Sequence, residues 1–214
     1  MKRDNYLIQA QQAKRCFLGY DADVVISKFG LKNDEAFLYT ALFSRPYRVS
    51  RTTGDMEKLV GGDWVDANTH AEVMTLLDLL CDSRPDRCLS GRWQSMQNFG
   101  LQFHQNLLEE SRDPYALRFH NDPEQLHRGC RALNGLPIPG ADISYRVEIF
   151  DGLPIAVQFW FGDDEFAPRL RYLWDANALQ YIRYETMYFA VDLLLERLTE
   201  RFTIPDFHDR INRI

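Results

Sequence analysis

The sequence predicts an α+β protein with a mostly antiparallel sheet and flanking amphipathic helices. Segments with an apolar period of two and segments with a helical period occupy separate parts of the chain, which is typical of this fold class. Hydrophobic residues make up 45% of the 214 residues, enough for a substantial core. We therefore expect a single domain over residues 1–204 and a polar tail over residues 205–214. The alternative is two packed lobes, about residues 1–110 and 111–204.

The first part of the chain is expected to form two helices and then a small antiparallel sheet. Helical spacing of apolar residues predicts helices over about residues 2–18 and 22–29, each followed by a glycine. A period of two over residues 36–43, followed by a strand over residues 47–51, predicts a hairpin. A third strand is expected over residues 56–60, where two glycines end it.

Later helices are predicted from capping residues and apolar stripes. Thr69 and Glu72 have the spacing of a capping box, and Asp122 followed by proline is a second helix start. Helices are expected over about residues 69–82, 100–110, 122–134 and 185–202. Pro114 is expected to end the region that contains the helix over residues 100–110. The apolar stripe of the last helix predicts a buried face opposite a polar face that holds Asp192, Glu196, Arg197 and Glu200.

The core of the fold is expected within residues 143–175. Residues 143–149 alternate between apolar and polar side chains, as in a strand with one buried face. Residues 153–161 are almost entirely apolar, which is typical of a central strand covered on both faces. An Asp-Gly pair between them favours a type I′ turn and therefore a β-hairpin. A third strand is expected to end at Asp175.

Three consecutive carboxylates follow the central strand, in an acidic loop over residues 162–168. Carboxylates held close together in a partly dry site raise one another's pKa, which suits acid–base chemistry, or they chelate a hard cation. His104 and His120 flank this segment and are expected to be able to approach it. The alternative is a solvated turn, because acidic residues are common in turns. The candidate catalytic residues are Asp163, Glu165 and Asp175.

Basic and aromatic residues lie together over residues 83–94. One interpretation is an anion-binding rim in which Arg84, Arg87 and Arg92 surround an aromatic wall. The other is a solvated connection whose Trp93 fills part of the core. Aromatic residues with a few converging charges are typical of a ligand pocket. The candidate ligand-binding residues are Arg92, Trp93, Trp160 and Tyr181.

Composition and motifs limit the classes of function. The formal net charge of −6 argues against a nucleic-acid-binding protein, which needs a basic face. The N-terminus lacks a signal-peptide core and no apolar run approaches the roughly 20 residues that span a bilayer, so we expect a cytoplasmic protein. Four scattered cysteines predict reduced thiols and no metal site; the alternative is an iron–sulfur or zinc site built from distant residues. These cysteines are Cys16, Cys81, Cys88 and Cys130.

One set of residues resembles a known family. The pattern consists of Gly91-x-Trp93, residues 154–168, residues 173–175, Tyr181-Ile182 and a closing amphipathic helix. It is similar to the DUF3786 family of uncharacterised bacterial proteins, over nearly the whole chain. Members often carry a histidine where this chain has Gln180, and some are joined to an iron–sulfur-binding segment for which this chain has no cysteine cluster. The resemblance implies that residues 162–175 are a shared feature of the fold or the site.

We favour a binding or accessory module without catalysis, for a small molecule or a protein partner, because the sequence contains no catalytic triad and no recognised metal-ligand spacing. The alternative is an enzyme that uses acid–base or metal-assisted chemistry on a small polar substrate through residues 162–175. A third hypothesis is an interaction protein that associates with itself through exposed aromatic residues. The sequence identifies no cofactor, ligand or substrate.

Overall fold

The computed structural model describes residues 2–99 and 114–200. Within these ranges the chain forms six α-helices and two antiparallel sheets of five strands each, which confirms the predicted α+β fold class. The helices are α1 (Lys2–Leu18), α2 (Ala22–Phe29), α3 (His70–Asp82), α4 (Pro114–Asn121), α5 (Pro123–Ala132) and α6 (Tyr184–Thr199). The strands are β1 (Lys32–Asn33), β2 (Phe37–Leu42), β3 (Arg45–Ser50), β4 (Met56–Val60), β5 (Asp63–Asp66), β6 (Trp93–Ser95), β7 (Leu136–Pro137), β8 (Ile143–Phe150), β9 (Leu153–Trp160) and β10 (Arg169–Asp175).

The first sheet has the strand order β1-β2-β3-β4-β5, so each strand pairs with the next one along the chain. The predicted hairpin β2–β3 and the third strand β4 are confirmed. The expected end of the sheet after β4 is wrong. Gly61 and Gly62 adopt positive φ angles of 63° and 105° and turn the chain into β5. Strand β5 was not predicted from the sequence because it begins and ends with aspartate, a residue that is depleted in strands.

The second sheet has the order β6-β10-β9-β8-β7, and β9 lies at its centre. Seven of the eight residues of β9 are buried, as its apolar sequence predicts. The β8–β9 turn at Asp151 and Gly152 has φ angles of 47° and 78°, which confirms the predicted hairpin. Strand β6 lies in the segment that was expected to be a loop, and it pairs with the end of β10.

Two helices begin at the capping residues that the sequence predicts. Thr69 and Glu72 form the predicted capping box at the start of α3, and the Asp122 side chain accepts a hydrogen bond at the start of α5. Pro114 is the first described residue of α4, and the predicted end of a helical region before it lies outside the described residues. The predicted helix over residues 100–110 and the polar tail lie outside the described residues. In the described ranges no helix has both the length and the apolar character needed to cross a membrane.

Both sheets contribute to one continuous hydrophobic core. Helix α3 packs against α1 and α6, and α5 packs against α6 and β8. The tip of the β2–β3 hairpin reaches the second sheet, where the Phe43 N–H donates a hydrogen bond to the Ile149 carbonyl at 2.9 Å. Phe43 and the next residue, Ser44, adopt positive φ angles of 50° and 59°, and Phe43 is 1% exposed. This buried turn holds the first sheet against the edge region of the second.

Candidate functional site

The acidic loop between β9 and β10 is an exposed turn that is held by hydrogen bonds between its own residues. Asp163 Oδ1 accepts hydrogen bonds from the N–H groups of Phe166 (2.8 Å) and Glu165 (2.9 Å). These bonds hold the pKa of Asp163 below its ordinary value. A general acid near neutral pH needs the opposite shift. The Gly162 N–H donates to His120 Nδ1 at 3.3 Å, so the expected approach of His120 to this loop is confirmed, whereas His104 lies outside the described residues.

Asp175 lies at the opposite end of β10 from the acidic loop. With a rise of about 3.3 Å per residue, the seven residues of β10 separate Asp175 from Arg169, and so from the acidic loop, by roughly 20 Å. Its two carboxylate oxygens accept N–H hydrogen bonds at 2.8–2.9 Å from Ser90, Gly91 and Asn177. Burial opposes ionisation, but these bonds outweigh it and lower the pKa of Asp175. Asp175 therefore fastens the segment before β6 to the sheet.

The arginines of residues 83–94 do not form a common rim. Arg87 is directed inward, where it pairs with Asp151 and lies 4.4 Å from the Phe29 ring centroid. Arg84 pairs with its neighbour Asp86 at the surface. Arg92 is exposed and its carbonyl accepts a backbone hydrogen bond from Ala176. A shared anion site at this position therefore lacks two of its three expected cations.

The aromatic candidates are likewise dispersed. Trp93 is 37% exposed on the edge strand β6, so the interpretation that Trp93 fills the core is wrong. Trp160 is partly buried at the end of β9 and pairs with Arg169 of β10. Tyr181 is 5% exposed, with the Arg87 guanidinium 5.8 Å from its ring centroid. The structure brings Trp93 next to Asp175 in register and Tyr181 within electrostatic range of Asp175, whereas Trp160 lies at the other end of β10, opposite Arg169.

A groove of about 2550 Å³ lies elsewhere, between the first sheet and the β7 edge of the second. Strands β2–β5 line one side, and α5, β7 and β8 line the other. None of the seven candidate residues predicted from the sequence is among the described residues that line it. Tyr39 and Trp64 stand on its first-sheet side, with their ring centroids 6.1 Å apart. This groove is therefore separate from the acidic loop.

The groove is basic although the protein is acidic. Among the described residues, eight basic side chains line it: Lys32, Arg45, Lys58, Arg118, Arg128, Arg131, Arg146 and Arg197. Four carboxylates line it: Asp122, Glu148, Asp151 and Glu200. Basic side chains thus outnumber acidic ones by four among the lining residues of a chain with a net charge of −6, and two of them, Lys58 and Arg131, pair with Glu72 and Glu124 outside the lining. Such a field attracts negatively charged ligands.

A network of buried polar groups underlies one end of the groove. Glu72, which is 1% exposed, accepts hydrogen bonds from Tyr47 Oη at 3.0 Å and from Lys58 Nζ at 2.7 Å. Tyr47 Oη in turn accepts a hydrogen bond from Arg197 Nη2 at 2.6 Å. Burial and the Glu72 carboxylate raise the pKa of Tyr47 far above its ordinary value, so the phenol stays protonated and donates.

The network continues to the surface of the groove through Glu200. Arg197 Nη1 donates to Glu200 Oε1 at 2.9 Å, and both Nη groups of Arg45 donate to the same carboxylate. Arg197 is 3% exposed, which contradicts its expected place on the polar face of the last helix. Helical spacing alone places Arg197 on the solvent-exposed face of α6. The sequence does not show that β3 covers this side of the helix. Of this network, the sequence indicated only Glu72, because its role in the capping box places a carboxylate at the start of α3.

The arrangement is suited to holding carboxylates or similar anions. Arginine side chains form paired hydrogen bonds with carboxylates, and the aromatic flank adds apolar contact surface. Within the part of the chain that the structure describes, no cluster of three or more His, Cys, Asp or Glu side chains has the geometry for a metal ion. The described cysteines are dispersed, with Cys130 buried and Cys16 and Cys88 exposed.

The fold and the groove define an α+β protein with an anion-attracting surface. The chain belongs to the DUF3786 family, a domain of unknown function, whose family model matches residues 21–197. No curated protein and no solved structure matches the chain.

Proposed function

We propose that this protein is a binding module without catalysis, and that its groove binds an acidic segment of a partner protein. The observation that carries the proposal is the positive charge of a large groove on a negatively charged chain. The volume of about 2550 Å³ exceeds the roughly 300–1,000 Å³ of small-molecule pockets, which favours an extended polypeptide over a metabolite. The proposal keeps the cytoplasmic location that the sequence predicts.

Several cations in the groove are available to such a segment. Arg128 and Arg131 form ion pairs with Asp122 (3.4 Å) and Glu124 (3.3 Å), and all four side chains are more than half exposed. Exposed pairs of this kind contribute little to stability, so a partner carboxylate can replace them at little cost. Arg146 on β8 is partly buried and has no carboxylate partner among the described residues.

Apolar side chains lie between these charges. Val60 is 43% exposed and Leu136 is 59% exposed, and both line the groove with Trp64. Exposed apolar residues beside cations match a segment that alternates acidic and apolar residues. Burial of the apolar side chains would contribute affinity, and the arginines would contribute specificity and rate of association.

The charges favour a polypeptide over a nucleic acid. The four carboxylates of the groove would repel a continuous chain of phosphates, and the net charge of −6 would oppose its approach. A polypeptide of mixed character can avoid those positions. The enzyme alternative through residues 162–175 has less support, because Asp163 is exposed with a lowered pKa and Asp175 lies at the other end of β10.

A binding assay tests the proposal. We expect a short fluorescein-labelled peptide of alternating glutamate and leucine to bind the full chain, with affinity that falls as NaCl rises from about 50 to about 300 mM. Arg146→Gln should weaken binding about fivefold, because it removes a partly buried cation that has no carboxylate partner in the described part of the chain. Fluorescence anisotropy measures both effects.

The matched control is Arg171→Gln, which removes the same charge from an exposed position of β10 outside the groove. It should leave the affinity within about twofold of the original. Equal losses from the two substitutions, or tighter binding of a single-stranded oligonucleotide than of the peptide, would contradict the proposal. A concentration-dependent dimer in light scattering without peptide binding would favour self-association instead.

A further inference from the structure

The groove already contains one bound carboxylate, and it belongs to the protein itself. Glu200 receives hydrogen bonds from Arg197 (2.9 Å) and from both Nη groups of Arg45. The Arg45 side chain is 16% exposed and that of Arg197 is 4% exposed, whereas that of Glu200 is 35% exposed. All three residues line the groove. Two largely buried guanidinium groups thus face a carboxylate that solvent can reach.

The two arginines are stabilised by a negative partner. A guanidinium group buried without a counter-charge is strongly destabilising, and Arg197 also lies beside the buried Tyr47 hydroxyl group. Glu72 does not serve this purpose, because its oxygens are engaged by Tyr47, Lys58 and the capping box of α3. A carboxylate at the position of Glu200 therefore stabilises the two guanidinium groups. A carboxylate of another chain would stabilise them equally well.

Glu200 is placed so that its side chain can leave without unfolding a helix. Helix α6 ends at Thr199, and Glu200 has extended backbone angles of φ −60° and ψ 147°. The end of α6 is held independently, since the Thr199 carbonyl accepts hydrogen bonds from Gln125 (3.4 Å) and Arg118 (3.5 Å). Rotation of the Glu200 side chain away from the arginines breaks none of these bonds.

We propose that Arg45 and Arg197 form the anchor site for a carboxylate of the acidic partner, and that Glu200 occupies this site in the unbound protein. Binding then exchanges one carboxylate for another at the same pair of guanidinium groups. The Glu200 carboxylate competes with the partner carboxylate for the anchor site. The apparent affinity of the groove is therefore the intrinsic affinity multiplied by the fraction of time that the anchor site is unoccupied. This inference rests on the proposed function and assigns the specificity-determining residues of the same groove.

Replacement of the competitor tests the inference with the same glutamate–leucine peptide. Glu200→Gln keeps the shape and the hydrogen-bond acceptor but removes the charge, and we expect it to tighten binding about fivefold or more. The matched control is Glu196→Gln, which removes one negative charge a helical turn earlier, at an exposed position outside the groove. It should change the affinity by less than about twofold. Arg45→Gln should weaken binding more in the Glu200→Gln background than in the original chain, because the anchor is then open.

The outcomes separate this inference from the proposed function. One outcome contradicts only the anchor-site inference: the original chain binds the peptide and Arg146→Gln weakens binding, but Glu200→Gln and Glu196→Gln have the same affinity. The proposed function of the groove would then still be supported. If no variant binds the peptide, the proposed function fails and the inference fails with it. Thermal melting verifies that each variant folds. If Glu200→Gln does not fold, Glu200→Asp replaces it, and a failure of this shorter acid to tighten binding overturns the inference.

Discussion

At the residue scale, Asp78 is a buried carboxylate that holds the start of α6. Its Oδ2 accepts a hydrogen bond from the Arg183 N–H at 2.8 Å, and the side chain is 4% exposed. Burial and the neighbouring Asp82 carboxylate raise the pKa of Asp78 to about 6, although Arg183 Nε lies 3.3 Å away. The folded state therefore binds this proton more tightly than the unfolded state. The associated stabilisation is complete below about pH 4 and is lost as the pH rises through about 6.

Asp78→Asn removes this titration while it keeps a side-chain acceptor at the helix start. We expect the free energy of unfolding of the variant, relative to the original chain, to increase by about 2 kcal/mol between pH 4 and pH 7. Urea denaturation at a series of pH values measures the difference. Asp164→Asn, at an exposed carboxylate of the acidic loop, is the control for the loss of one carboxylate from the chain. A difference that is constant for Asp78→Asn would contradict the assignment.

The sequence predicted local roles of single residues better than their burial. The capping function of Glu72 follows from its spacing to Thr69, because both groups lie within one helical turn. Its contacts with Tyr47 and Lys58 join distant segments and cannot be derived from spacing. Arg197 shows the same limit, since helical periodicity placed it on a polar face that β3 covers in the folded protein.

At the element scale, the packing of α5 against α6 depends on Gly129. A Cβ atom at this position would lie 2.7 Å from the Leu198 carbonyl oxygen and 2.9 Å from its Cα. These are backbone atoms of α6, so a larger residue must push the helices apart. Sequence patterns predicted α5 from its capping residues, and they contain no signal for the packing role of Gly129. The close approach of two helices that are distant in sequence is not a local property.

Gly129→Ala tests whether helix propensity or the close contact between α5 and α6 dominates at this position. Alanine favours an isolated helix by about 1 kcal/mol over glycine, but we expect this substitution to lower the free energy of unfolding by about 1–3 kcal/mol, because the methyl group overpacks the α5–α6 contact. Chemical denaturation measures the change. Arg128→Ala, at the preceding exposed position of α5, should change it by less than about 0.5 kcal/mol. Stabilisation by Gly129→Ala would show that the helices are not in close contact.

At the scale of the whole molecule, the distribution of charge differs from its sum. The net charge of −6 is a sum over the whole chain, whereas eight described basic side chains from both halves of the chain meet in one groove. Composition cannot show this, because the two sheets that bring them together are joined only in the folded protein. The fold class and the two principal hairpins followed from local periodicity. The concave surface depends on how those elements are arranged.

The measurement that tests the account most directly is an NMR titration of the ¹⁵N-labelled chain with the glutamate–leucine peptide. We predict chemical-shift changes in the N–H groups of α5, β8 and the β2–β3 hairpin, and none in the acidic loop of residues 162–168. Changes that include Arg146 and its neighbours would support the groove as the binding surface. Changes centred on residues 162–168 or on the β6 edge, with α5 unaffected, would contradict it.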